Sequence, residues 1–169
     1  MKTAFIGLGS NLGDRFATIQ KAWQKLGGIP DVQLIRISCP YQTAPIDIET
    51  TNWFINAVGE IQVNLTVHQL LQTLLDLEAS MGRNRSAGPD RNIDLDLLLY
   101  EDTILDDQHL KLPHPAMHQR LFVLVPLAEI APTVKHPLTG DTISQLKNKL
   151  LSSGQQITKL SWPEEKDLL

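Results

Sequence analysis

Arg83-Asn84-Arg85-Ser86-Ala87-Gly88-Pro89-Asp90-Arg91-Asn92-Ile93-Asp94-Leu95-Asp96-Leu97-Leu98-Leu99 changes character halfway along. The stretch up to Arg91 carries three arginines, Arg83, Arg85 and Arg91, with Gly88 and Pro89 as breakers, and reads as a basic loop. From Ile93 the pattern alternates: Ile93, Leu95, Leu97 and Leu99 share one parity, Asp94 and Asp96 the other. Alternate side chains of a strand share a face, about 7 Å apart along the chain. The spacing therefore predicts a strand with one oily face and two carboxylates together on the other. Carboxylates that hold Mg²⁺, beside arginines that hold phosphate, are the parts a phosphoryl-transfer site needs.

Working outward, the same rules divide the rest of the chain. Lys2 to Gly9 reads as a first, buried strand. A helix follows, capped by Asp14, with Phe16, Ile19, Trp23 and Leu26 at helical spacing and Gly27, Gly28 and Pro30 as its stop. Val32 to Tyr41 is a second strand with Pro40 at its end, and Thr43 to Asp47 a loop. Trp53 to Val63 is the third strand, with Phe54, Asn56, Val58 and Glu60 on one face and Ile55, Ala57, Gly59 and Ile61 on the other. Thr66 and Gln69 form a capping-box pattern for a second helix, whose stripe is Val67, Leu70, Leu71, Leu74, Leu75 and Glu78. Beyond the Asp94/Asp96 strand come a hairpin over 103–112, a short helix over 121–130 containing Pro126, a helix over 142–151 and a strand over 157–162. The end, from Pro163, is charged and expected to be loose. The main order is β-α-β-β-α-β with C-terminal additions. That order predicts an α+β, ferredoxin-like antiparallel sheet with helices packed on one face.

Length and composition bound the function. The 169 residues read as one domain, 1–169. Net charge is −4, which argues against a general nucleic-acid binder. The charge is uneven: residues 83–91 carry a local +2, and the remainder holds 12 basic and 18 acidic residues. A basic island on an acidic chain suits a small anionic ligand. Cys39 is the only cysteine, which points to a reducing compartment, and no stretch is long and apolar enough to span a bilayer. A cytoplasmic protein with no membrane partner is expected.

Several constellations admit a plain reading beside a functional one. No P-loop is present, and Gly7-Leu8-Gly9-Ser10-Asn11-Leu12-Gly13 misses the dinucleotide spacing, so it reads as a tight strand-to-helix turn. Asp94-x-Asp96 in isolation is equally a solvated strand face; a central, apolar strand makes paired like charges more telling. The arginines could be a solvated run, although arginine suits bidentate phosphate contact. Glu78 falls on the apolar stripe of its helix, or on its edge reaching water. His114, held between Pro113 and Pro115, could be a ligand, a phosphate donor or a packing residue. Asn56 beside Phe54 suits a flat heterocycle, while Phe54 alone suits a core.

Six ordered marks then coincide: Ile6 to Gly13; Tyr41-Gln42-Thr43-Ala44-Pro45; Phe54-Ile55-Asn56-Ala57; Glu78 with Gly82-Arg83-Asn84-Arg85; Arg91 to Leu98; and Pro113-His114-Pro115 with Arg120 and Phe122. Over nearly its full length the chain resembles the 6-hydroxymethyl-7,8-dihydropterin pyrophosphokinase family. The resemblance implies pyrophosphoryl transfer from ATP to the pterin hydroxymethyl group, releasing AMP, in folate biosynthesis. It implies that Asp94 and Asp96 bind two Mg²⁺ ions, and that Arg83 and Arg91 join them as catalytic residues. ATP contacts are expected from Glu78, Arg83, Arg85, Arg91, His114 and Arg120. The pterin is expected between Phe54 and Phe122, read by Asn56 and by the chain near Thr43, Ala44 and Ile46. Mobile loops are expected at 10–14, 43–52 and 83–91, in a monomer. The chain departs from the pattern where Asp90 stands between Gly88-Pro89 and Arg91, and where Ala87 replaces an aromatic. A D-x-D nucleotide-sugar transferase and a non-catalytic ferredoxin-like binding module are the alternatives.

Overall fold

The computed structural model describes residues 1–164; the far end of the tail expected to be loose, residues 165–169, lies outside the described residues. Among the described residues eight strands and four α-helices follow in the order β1 (Lys2–Ser10), α1 (Arg15–Gly27), β2 (Val32–Ile37), β3 (Tyr41–Thr43), β4 (Phe54–Val63), α2 (Val67–Ser80), β5 (Asp94–Tyr100), β6 (Leu105–Asp106), β7 (Lys111–Leu112), α3 (Leu121–Ile130), α4 (Ile143–Leu150) and β8 (Ile157–Lys159), with a 3-10 turn at Met117–Gln119 before α3. The main sheet runs β5-β1-β4-β3-β8, with β2 also on β4, and every pairing is antiparallel. The β-α-β-β-α-β core is ferredoxin-like, as the element order predicts.

Local signals set the helix starts. Asp14 accepts a hydrogen bond from Ala17 N at 3.0 Å, and Thr66 and Gln69 close a reciprocal capping box. The second strand divides in two at Ser38-Cys39-Pro40, where Pro40 has no N–H for a ladder, so Thr43 ends a strand rather than opening a loop. Pro126 lies inside α3 and does not end it. On α2 the buried stripe is Leu70, Leu74, Leu77 and Glu78, and Leu75 turns outward.

The sheet separates two cores. Ala4, Ile6, Leu8, Ile55, Ala57, Ile61, Leu95 and Leu97 pack toward α1 and α2. Phe5, Val58, Leu98 and Leu99 pack toward α3 and α4, so the C-terminal additions cover part of the second face. Leu99 is thus not on the face of Leu95 and Leu97. Ile6 pairs with Leu97 but Phe5 with Leu99, leaving Leu98 as an extra, bulged residue that reverses the parity beyond it. Gly59 is where the α1 face fits tightest: a Cβ there would lie 2.2 Å from the Trp23 ring. Gly59→Ala is expected to destabilise by about 1–3 kcal/mol through overpacking, read as a lower urea midpoint; an unchanged midpoint would mean the indole has free space to move.

Candidate active site

The candidate site lies on the face of the sheet opposite α1 and α2, at the N-terminal end of α3. Its floor is β1. Gly7 and Gly9, two apart and on one face, leave that floor without side chains. Gly9 pairs with Asn56 of β4 on one side and Asp94 of β5 on the other; Gly7 pairs with Val58 and Asp96. With strands about 4.8 Å apart, Asn56 and Asp94 face each other across roughly 10 Å of bare backbone. The glycine-rich stretch is therefore more than a turn: alternate glycines in a buried strand were the readable signal, and only the pairing reveals what they make room for.

A cleft open to solvent stands on this floor. Thr43, Ala44, Ile46, Phe54, Asn56, Arg91, Asp94, Asp96, Arg120 and Phe122 all line it, and Ile48 and Val123 join them. Asn56 is 7 % exposed and donates its amide to Thr43 Oγ1 at 2.7 Å, which fixes the orientation of its side chain. Phe54 and Phe122 both face the cleft, each with a guanidinium over its ring: Arg91 at 4.9 Å from the Phe54 centroid, Arg120 at 5.5 Å from that of Phe122.

The carboxylate side is crowded. Burial, then the charges of Asp94 and Glu78, push Asp96 up to about 7. Arg91 Nε lies 3.2 Å from Asp94 Oδ2, and Arg83 Nη2 3.7 Å from Asp94 Oδ1. The Arg83 side chain is 9 % exposed, and its Nε and Nη1 are buried without a hydrogen-bond partner. Among the described residues no third carboxylate, histidine or cysteine completes a metal-binding group around the pair. That donor set fits Mg²⁺, which takes one or two carboxylates and fills its remaining positions with substrate phosphates and water.

Glu78, Arg83, Arg85 and His114 do not line the cleft, although Arg83 lies against it through its ion pair with Asp94. Glu78 is 1 % exposed; its Oε1 accepts from Leu95 N at 2.6 Å and its Oε2 from Arg85 Nη2 at 2.5 Å. Burial raises its pKa, opposed by the Leu95 bond. His114 N donates to Leu98 O at 2.9 Å, and its ring Nδ1 accepts from Ala116 N at 3.3 Å, so the neutral ring carries its proton on Nε2. Burial and the Arg120 charge lower its pKa. Both Glu78 and His114 bond the edge of β5 that, among the described residues, has no neighbouring strand. An ATP contact from Glu78 would require its carboxylate to leave two partners, because the free edge of the Asp-bearing strand needs it. Arg85 sits outside on the rim, 59 % exposed.

A ferredoxin-like sheet with an asparagine and two phenylalanines lining one side of a bare strand and a carboxylate–arginine cluster on the other defines a phosphate-handling α+β protein. The chain belongs to the 7,8-dihydro-6-hydroxymethylpterin-pyrophosphokinase family, whose model matches residues 5–132. It is 42 % identical over 156 residues to a 2-amino-4-hydroxy-6-hydroxymethyldihydropteridine pyrophosphokinase of Methylorubrum extorquens, covering 91 % of this chain and 97 % of that one. The Bacillus subtilis protein of the same name is 38 % identical over 144 residues, covering 84 % and 86 %. Among solved structures, a Plasmodium falciparum HPPK-DHPS superposes with a TM-score of 0.73 at 16 % identity, over 89 % of this chain and 43 % of the longer one. Among the described residues no helix is long and apolar enough to cross a membrane.

Proposed function

We infer that the protein transfers the pyrophosphoryl group of ATP to the hydroxymethyl oxygen of 6-hydroxymethyl-7,8-dihydropterin, a step of folate biosynthesis. In this reaction the hydroxymethyl oxygen bonds to the β-phosphorus. The bond from that phosphorus to the α–β bridging oxygen breaks, AMP leaves with that oxygen, and the hydroxyl proton passes to solvent. The observation that carries the reading is the bare strand β1, with Asn56 and Phe54 along one side and Asp94 and Asp96 along the other. A pterin read by Asn56 and stacked between Phe54 and Phe122 would direct its hydroxymethyl group across the glycines toward the carboxylates.

Each group has a part in that reading. Arg83, with two buried nitrogens that lack hydrogen-bond partners, Arg91 and Arg120 would bind the triphosphate. Arg91 and Arg120 would leave the faces of Phe54 and Phe122 as the pterin takes their place. Arg85 and His114 would reach ATP from the rim, and Glu78 would act by holding Arg85 and the Asp94–Asp96 segment in register. Asp94 and Asp96 would hold two Mg²⁺ ions, which neutralise phosphate charge when bound. Positioning and electrostatics, rather than a strong base, supply the rate. The reading includes a monomer of one domain in the cytoplasm.

Protein mixed with ATP, Mg²⁺ and hydroxymethyldihydropterin is expected to release one AMP per pterin consumed. Release of ADP, or nucleotide turnover that ignores the pterin, would overturn it. EDTA is expected to stop the reaction and excess Mg²⁺ to restore it.

A further inference from the structure

We propose that Asp90 is a positioning residue for the transfer: its carboxylate clasps three loops into one rim and thereby holds the acceptor side of the cleft in shape. The proposal rests on the pyrophosphokinase reading for its kinetic consequences, not for the clasp itself.

Three segments outside the helices and strands meet beside the cleft: the β1–α1 turn, residues 44–53, and residues 81–93. The latter two exceed the usual connection of about four to six residues, so their own closure leaves many conformations open. Residues 44–53 are tied at their ends. Ala44 N donates to Gln156 O at 3.3 Å, and Arg15 Nη1 donates to Trp53 O at 2.7 Å. Their middle is held by Asp90. Its Oδ1 accepts from Thr50 Oγ1 at 2.6 Å and from Asn11 Nδ2 at 2.8 Å, while its Oδ2 accepts from Asn52 Nδ2 at 2.9 Å.

Asn11 extends the clasp to the arginine loop. It is 4 % exposed, its Oδ1 accepts from Arg91 N at 2.7 Å, and its own N donates to Arg91 O at 3.2 Å. One ionised carboxylate thus joins loop 44–53, which brings Ala44, Ile46 and Ile48 to the cleft, to the turn that fixes the Arg91 backbone. Hydrogen bonds to a carboxylate are about twice as strong as neutral ones, and here three converge on one group. Each bond joins segments 38 to 79 residues apart in sequence, so losing them frees the rim without touching either core. Asp90 is also the residue that stands between Gly88-Pro89 and Arg91. The clasp explains a carboxylate at that position, since it closes the rim.

The test compares Asp90→Ala, the pair Thr50→Ala with Asn52→Ala, and the triple variant. Asp90→Ala is expected to raise KM for the pterin about tenfold, equivalent to roughly 1.4 kcal/mol, with kcat and KM for ATP changed less than about threefold. The Thr50/Asn52 pair is expected to do the same, and the triple variant no more than either parent, because one clasp is lost only once. Asp90→Asn keeps an oxygen for Thr50 and Asn11 and is expected to fall between wild type and Asp90→Ala. In the free protein, amide hydrogen exchange across 44–53 is expected to quicken in Asp90→Ala while β1 and β4 keep their protection. Multiplying effects in the triple variant would overturn the proposal, as would unchanged exchange over 44–53. Asp90→Asn matching Asp90→Ala while the Thr50/Asn52 pair is silent would overturn it too, by assigning the effect to charge on Arg91. A wild-type protein that turns over no pterin would defeat the activity reading instead, and the exchange measurement would still decide the clasp.

Discussion

Asp96→Asn is expected to abolish pyrophosphoryl transfer while making the free protein more stable. The two effects have one origin. Burial and the neighbouring charges of Asp94 and Glu78 push Asp96 up to about 7, so its ionised form is held in the fold against repulsion. A carboxylate raised in this way weakens the fold as it ionises. Below an unfolded-state value of about 4 both states hold the proton and nothing is lost. Between there and about 7 the unfolded chain gives the proton up more readily, so stability falls as pH rises; above about 7 the loss is complete. Asparagine keeps the shape and removes the charge. Its melting temperature is expected to exceed that of wild type at pH 8 by roughly 2–4 °C for each kcal/mol relieved, with a smaller gain at pH 5. Turnover is expected to fall at least about 10³-fold, since electrostatic help worth several kcal/mol goes with the charge. Single-turnover AMP release and melting curves at the two pH values decide it. More than a tenth of wild-type turnover would remove Asp96 from the chemistry; a variant less stable at pH 8 than at pH 5, relative to wild type, would remove the repulsion.

What the sequence disclosed follows how local each cause is. The Asp14 cap, the Thr66–Gln69 box and the glycine stop of α1 act within a few residues, and they stand where periodicity puts them. The alternation at Ile93–Leu97 is likewise local, and so is the shared face of Asp94 and Asp96. Leu99 escaped that reading because its face is set by a bulge against β1, a property of the pair of strands. Glu78 and His114 fell outside the cleft lining for a related reason. Nothing near either residue in sequence reveals that β5 is an edge strand whose Leu95 N–H and Leu98 C=O need partners. The second face of the sheet was hidden too: α3 is apolar nearly all round, so its periodicity names no direction. The cleft residues read best were those whose type is itself informative: paired aspartates, arginines beside a Gly-Pro, and an asparagine among apolar strand neighbours. Glycines were read worst, because an absent side chain has meaning only through what lies opposite.

That meaning yields the other large effect. Gly9→Ala is expected to raise KM for the pterin roughly tenfold to a hundredfold, the range for partly unpairing a buried polar group at about 1–3 kcal/mol. Alanine is better than glycine in a strand by roughly 0.5–1 kcal/mol, so backbone preference alone would not favour glycine here. The constraint is lateral: a Cβ on Gly9 would stand 2.7 Å from Asn56 Oδ1, the oxygen of the amide that donates to Thr43. To relieve the contact Asn56 must turn, losing its Thr43 bond and, in the proposed reading, its aim at the ring edge. Gly7 provides the comparison on the same strand. A Cβ there meets Leu98 Cδ2 at 3.5 Å and Asp96 Cβ at 3.7 Å, ordinary contact distances, so Gly7→Ala is expected to fold without strain. Because a Cβ on Gly7 would touch Asp96 and one on Gly9 would strike Asn56, any loss in Gly7→Ala is expected in kcat, whereas Gly9→Ala is expected to lose pterin affinity and keep KM for ATP within about threefold, a selectivity that follows from which side chain each methyl meets. Steady-state kinetics with each substrate varied in turn separates the two. If Gly9→Ala binds pterin as wild type does, Asn56 is not its reader; if both variants weaken ATP and pterin alike, the floor is a general support and the division of the cleft about β1 is wrong.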